Sequence, residues 1–97
     1  MDERYELKGI TFVWDSNKAQ ANLAKHGVAF SQAAQAFFDP FLRVTDAGIG
    51  SETRDAVIGM DERWNLLFVV HLMLEEDIIR IISARKATPS ERSYYEY

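Results

Sequence analysis

The spacing of hydrophobic positions changes along the chain, from a helical period in the first forty residues to a strand-like one afterwards. Thr11–Trp14 (TFVW) is a short β-prone run closed by Asp15. Asp15 then suits the N-cap of a helix over Ser16–His26, because its carboxylate can accept from the free N–H groups of a first turn. Gly27 stands where a left-handed residue ends such a helix. With Ser31 read as the next N-cap, Phe30, Ala33, Ala34, Phe37 and Phe38 fall at i, i+3, i+4, i+7 and i+8, and Asp39-Pro40 stops the helix.

From there the pattern predicts strands over residues 41–46 (FLRVTD) and roughly Arg54–Met60. The polar turn Asp61-Glu62-Arg63 leads into a third strand over Trp64–Leu74. In that strand Leu66, Phe68, Val70 and Leu72 alternate with Leu67, Val69, His71 and Met73, so both faces are apolar and the strand is expected to be central and covered twice. Glu75-Glu76-Asp77 turns the chain into a fourth strand, Ile78–Ala84. Thr88, Pro89 and Glu91 then form a helix start signal: an N-cap, a first-turn proline and the Glu of a capping box. The expected architecture is α+β, one domain over residues 1–97. Two N-terminal helices pack on an antiparallel sheet of about four strands, and a C-terminal helix follows.

Composition narrows the chemistry. The 97 residues are 47% hydrophobic and 27% charged, the balance of a folded domain, and there is no cysteine. Disulfides, zinc–thiolate centres and thiol nucleophiles are therefore excluded. Asn22 and His26 give at most half a metal site, His26 fits helix capping better, and no second His or carboxylate stands beside them at ligand spacing, so neither a metal nor another cofactor is expected. The start MDERYELKGI is acidic rather than signal-like, and the longest apolar run, Leu66–Val70, is too short for a bilayer; the expectation is a soluble, cytoplasmic protein with no membrane partner. A net charge of −4 weighs against nucleic-acid binding, but Arg80, Arg85, Lys86 and Arg92 cluster in one stretch while acids gather elsewhere.

That stretch, IIRIISARKATPSER, would bring cations along an apolar strand to the mouth of a capped helix, an arrangement suited to phosphate or another anion. Without a metal site or a catalytic triad, the economical chemistry is metal-free work on a phosphodiester.

Two ordered blocks carry a family resemblance. One is Trp14-Asp15-x-x-Lys18, then Asn22-x-x-Lys25-His26-Gly27-Val28-x-Phe30, with Asp39-Pro40 beyond it. The other runs Arg80-Ile81-Ile82-Ser83-Ala84-Arg85-x-Ala87-Thr88-x-x-Glu91-Arg92-x-x-Tyr95-Glu96. Together they resemble the BrnT toxins, the toxin half of type II toxin–antitoxin pairs. The resemblance implies a RelE-type ribonuclease fold, RNA cleavage and inhibition of translation. It also implies neutralisation by a BrnA-type antitoxin, through which alone operator DNA would be contacted; a homodimer stays open. Leu72-Met73-Leu74 departs from the family, whose members often carry a polar Thr and an Arg there.

Cleaving RNA without a metal requires a group to deprotonate or position the 2′-hydroxyl, a cation to stabilise the phosphorane and a donor for the 5′-oxygen. Arg85 is the first candidate for the phosphate, with helix packing or capping as the plainer role. Arg80 either joins it or pairs with Glu52 or Asp55 on a neighbouring strand. Arg54, oriented by Glu52, is a second clamp, or the two form only a cross-strand salt bridge. His71 is the candidate proton carrier, against the commoner role of a hydrogen-bonded core histidine. Lys86 and Lys18 could reach the backbone of RNA, although both suit a solvated surface. The arginines are expected to converge on one open pocket. The rival expectation drops catalysis: an inactive module that holds the antitoxin and assists operon repression.

Overall fold

The computed structural model describes residues 1–47 and 54–97. Six strands form one mixed sheet in the order β1-β2-β6-β5-β4-β3: β1 is Asp2–Leu7, β2 Ile10–Asp15, β3 Arg43–Asp46, β4 Asp55–Met60, β5 Leu66–Glu75 and β6 Ile78–Lys86. Helix α1 (Ser16–His26) and α2 (Phe30–Gln35, continued by a 3-10 turn over Ala36–Phe38) separate β2 from β3, and α3 (Pro89–Glu96) closes the chain. The expected α+β class holds, but the sheet has six strands rather than four and is not wholly antiparallel, because β2 runs parallel to β6.

The strand missing from the sequence reading is β1. Its alternation places only Tyr5 and Leu7 inward among charges, the composition of an edge strand. A two-residue turn joins it to β2, with Lys8 at φ 50° and Gly9 at φ 86°, both left-handed as a tight hairpin of this kind requires.

One face of the sheet carries the core. Phe12 and Trp14 from β2, Val57 from β4, Leu67 and Val69 from β5, and Ile79, Ile81 and Ala84 from β6 pack under Phe30, Ala33, Ala34 and Ala36 of the helical layer. Phe37 and Phe38 both meet Phe12 at ring distances of 5.3 and 6.3 Å. The apolar stripe expected of α2 is therefore the stripe that packs. The N-cap is Ala29, two residues before the expected Ser31, and the helix tightens before Asp39-Pro40. Gly59 is needed where this layer touches β4: a Cβ there would lie 2.5 Å from the carbonyl oxygen of Ala36.

The local signals at α1 and α3 acted as expected. Asp15 accepts from the Lys18 N–H at 3.0 Å, and Gly27 closes α1 at φ 70° with its N–H on the Leu23 carbonyl. Thr88 accepts from the Glu91 N–H at 3.2 Å, and the Glu91 carboxylate accepts from the Thr88 N–H at 2.9 Å.

Candidate active site

A bulge in β6 decides which side chains share a surface. Val70 lies opposite Ser83 and His71 opposite Ile81, so Ile82 has no opposing residue. A five-residue separation normally puts two strand residues on opposite faces. The extra residue reverses this and turns Arg80 and Arg85 to the same face, away from α1 and α2, while Ile81 and Ala84 both enter the core. Arg80 thus does not share parity with Ala84, as uninterrupted alternation would have it.

Arg85 sits at the end of β6 in a constructed environment. Its guanidinium lies 4.3 Å from the Phe68 ring centroid, an arrangement with cation–π character. Two of its N–H groups donate to the two Glu91 carboxylate oxygens, each at 2.8 Å, and one donates to the Lys86 carbonyl at 3.2 Å. The fork has five N–H donors, so it is not exhausted by these contacts. Its side chain remains 35% exposed. The pair holds the Glu91 carboxyl below its ordinary range, chiefly through the hydrogen bonds from Arg85, with the Thr88 N–H adding to the effect against partial burial. The anion expected at the mouth of α3 is thus Glu91 itself, which serves the capping box and the arginine at once. Beside it, a groove of about 300 Å³ opens between α3 and the sheet, lined by Thr45, Ile58, Phe68, Ser90, Glu91 and Tyr94.

Arg80 has a different partner. Its two terminal nitrogens donate to the carboxylate of Asp2 at 3.0 and 3.2 Å, bridging β6 to β1 across β2. This corrects the expected pairing with Glu52 or Asp55. Asp2 is well exposed, so the pair is open to exchange with solvent ions. Arg80 and Arg85, roughly 15 Å apart along the strand, are thus held by carboxylates on different elements, Asp2 of β1 and Glu91 of α3. The expected convergence on a single pocket is not found.

His71 is on the other face. It is 4% exposed, packed edge-on against Phe37 at 4.8 Å, with Nδ1 3.3 Å from the Val69 carbonyl oxygen. Burial pushes its pKa below the ordinary imidazole value, so the neutral ring is favoured. It is separated by the sheet from Arg80 and Arg85. Arg54 lies just before β4, where its carbonyl accepts from the Ala47 N–H, and Glu52 lies outside the described residues. Lys86 is exposed at the end of β6, opposite Leu67, and Lys18 is exposed on the first turn of α1. Among the described residues, no group of three or more His, Asp or Glu side chains is placed to hold a metal ion. No helix among them is long and apolar enough to cross a membrane.

Two residues absent from the expected set shape this region. Asp39 accepts from the Met60 N–H, the Phe41 N–H and the Tyr95 hydroxyl, which ties the far end of α3 to the sheet. Asn22, buried on α1, hydrogen-bonds to both backbone groups of Ala84. The Asn22 and Asp39-Pro40 motifs were visible in the sequence, but nothing local disclosed their distant partners.

Comparison with known proteins now adds to the geometry. A family model described as "Ribonuclease toxin, BrnT, of type II toxin-antitoxin system" matches residues 14–91. Among solved structures, the chain is similar to the crystal structure of the Brucella abortus ribonuclease toxin BrnT. The two share 25% identity over 77% of this chain and 92% of that one, with a TM-score of 0.60. No curated protein matches. The matched span runs from Trp14 to Glu91, taking in both capped helix starts and the whole of β6, and on that basis the chain belongs to the BrnT family of ribonuclease toxins of type II toxin–antitoxin systems.

Proposed function

We propose that this protein is a metal-independent endoribonuclease whose phosphate clamp is Arg85, and that a BrnA-type antitoxin silences it by covering the same face. The observation that carries the reading is the Arg85–Glu91 pair: a guanidinium fixed at a strand end, beside a helix mouth, partly exposed and with donors to spare. An arriving phosphodiester replaces Glu91 as the anion in the fork. The 2′-hydroxyl oxygen attacks phosphorus as its proton passes to solvent water, the bond to the 5′-oxygen breaks as water returns a proton to it, and the cation stabilises the charge gathered on the phosphorane oxygens. The products are a 2′,3′-cyclic phosphate and a free 5′-hydroxyl. Arg80 and Arg54 belong to the periphery of this site, where they would track the RNA backbone rather than hold the reacting phosphate. Lys18 and Lys86, on the helix-covered side of the sheet, are assigned to the solvated surface, Glu52 to orienting Arg54, and His71 to the core rather than to proton transfer.

The test is incubation of purified protein with total RNA in the presence of a chelator, followed by mapping of the cut ends. Cyclic phosphate and 5′-hydroxyl termini are expected. Arg85→Ala should lower the rate by about 10²–10³-fold, the usual cost of deleting one donor to a developing oxyanion. Full activity in a folded Arg85→Ala variant would place the site elsewhere.

A second reading has its own support. Arg80 and Arg85 are both already paired with carboxylates, as they would be in a scaffold for antitoxin binding. Induced expression without the antitoxin separates the two, since growth with intact RNA is the outcome expected of an inactive module.

A further inference from the structure

β2 pairs with β6 only from Thr11–Ile78 to Val13–Arg80 and then gives way to α1. The outer backbone edge of β6 beyond Arg80 therefore lacks a neighbouring strand at the point where the strand must deliver Arg85. Asn22 occupies that position. Its Oδ1 accepts from the Ala84 N–H at 3.1 Å, and its Nδ2 donates to the Ala84 carbonyl at 2.8 Å. The same Nδ2 donates to the Val28 carbonyl at 3.0 Å, which fixes the orientation of the amide from the loop after α1. All three contacts are buried. The carboxamide thus presents to Ala84 the paired acceptor and donor that a strand would present, one residue before Arg85 and two after the unpaired Ile82 of the bulge.

We propose that Asn22 is a positioning residue for Arg85: it holds the end of β6 in register beyond its last pairing with β2, so that the guanidinium meets its phosphate in a fixed orientation. The proposal rests on the ribonuclease reading given above. It follows from chemistry that only an amide satisfies. A carboxylate has the same shape, but puts an acceptor against the Ala84 and Val28 carbonyls. A hydrophobic side chain leaves Ala84 with two buried, unpaired backbone groups.

Asn22→Asp and Asn22→Ala are compared with the unsubstituted protein for folding, for RNA cleavage and for the side-chain N–H resonances of Arg85. Both variants are expected to stay folded and to lose at least tenfold in kcat with KM within about twofold, because misorientation acts on the charge that develops in the transition state. In an Arg85→Ala background the same substitutions should change the rate less than twofold, since two residues acting through one group do not add. The Arg85 side-chain resonances should shift or broaden in both single variants. The proposal is overturned by unchanged kcat in folded protein, by full additivity with Arg85→Ala, by undisturbed Arg85 resonances, or by both variants unfolding, which would make Asn22 a determinant of the fold alone. If the unsubstituted protein does not cut RNA, the ribonuclease reading fails, and the resonances still report whether Asn22 orders Arg85.

Discussion

At the scale of single residues, the structure separates side chains that serve the fold from one that costs it stability. Trp64 closes the turn between β4 and β5 at φ 66°, with 82% of its surface in water. A bulky L-residue there is strained, and so exposed a ring recovers little by burial. The turn does not depend on it. Asp61 organises the loop by accepting from the Arg63 and Asn65 N–H groups and from the Gln32 and Asn65 amides; these bonds outweigh partial burial and keep its carboxyl ionised below the ordinary range. Trp64→Gly should therefore stabilise the protein by about 0.5–1 kcal/mol, the left-handed strain relieved less the entropy of glycine, for a rise in Tm of about 3–6 °C. Calorimetry checks this, and a fall in Tm would mean that the indole makes a contact the exposure does not suggest.

At the scale of elements, α3 is held at its two ends and buries none of its side chains fully. Glu91 fastens the first turn to Arg85, and the Tyr95 hydroxyl fastens the last turn to Asp39 at 2.5 Å, with burial and that carboxylate pushing the Tyr95 pKa up to about 12. Both carboxyls titrate below their ordinary values of 4.5 and 3.8, so each contributes stability that is present above those values and lost as pH falls through the lowered folded ones. His71 acts over a separate window. Its folded pKa is also depressed, so the whole core weakens as pH drops below 6.5. Hydrogen exchange should accordingly show a gradual global loss from about pH 6.5 and a steeper, local loss of protection in α3 that begins only below about pH 4.5. Simultaneous loss in α3 and β5 at every pH would refute the two-clamp account. The same helix shows what the sequence discloses. Thr88, Pro89 and Glu91 announce its start because capping is settled within four residues. The partner of Arg80 lies 78 residues away in a polar N-terminal segment with no strong strand signal, and the Arg80–Arg85 geometry depends on a bulge defined only by pairing with β5. Local chemistry was legible; register and distant partners were not.

At the scale of the whole molecule, the sheet divides labour. One face is sealed by α1 and α2 over the aromatic core, and the other presents Arg80 and Arg85 with α3 across part of it. The chain as a whole carries −4, and Arg80 already faces Asp2 while Arg85 faces Glu91. Such a body attracts RNA weakly from a distance, and its affinity must come from a few short-range contacts. Counterion release gives this a measurable form. For a single strand the slope of log K against log salt is about −0.7 per phosphate neutralised, so contacts from Arg54, Arg80 and Arg85 predict a slope near −2. Removing the Arg85 charge should bring it to about −1.4, whereas Lys18→Ala, on the turn of α1 across the sheet, should leave it unchanged. Binding of a short uncleavable RNA measured by fluorescence anisotropy over a salt series reads these slopes directly. A slope of −4 or steeper would require a broad cationic surface that the charge distribution does not provide, and would shift the RNA path away from the β6 face.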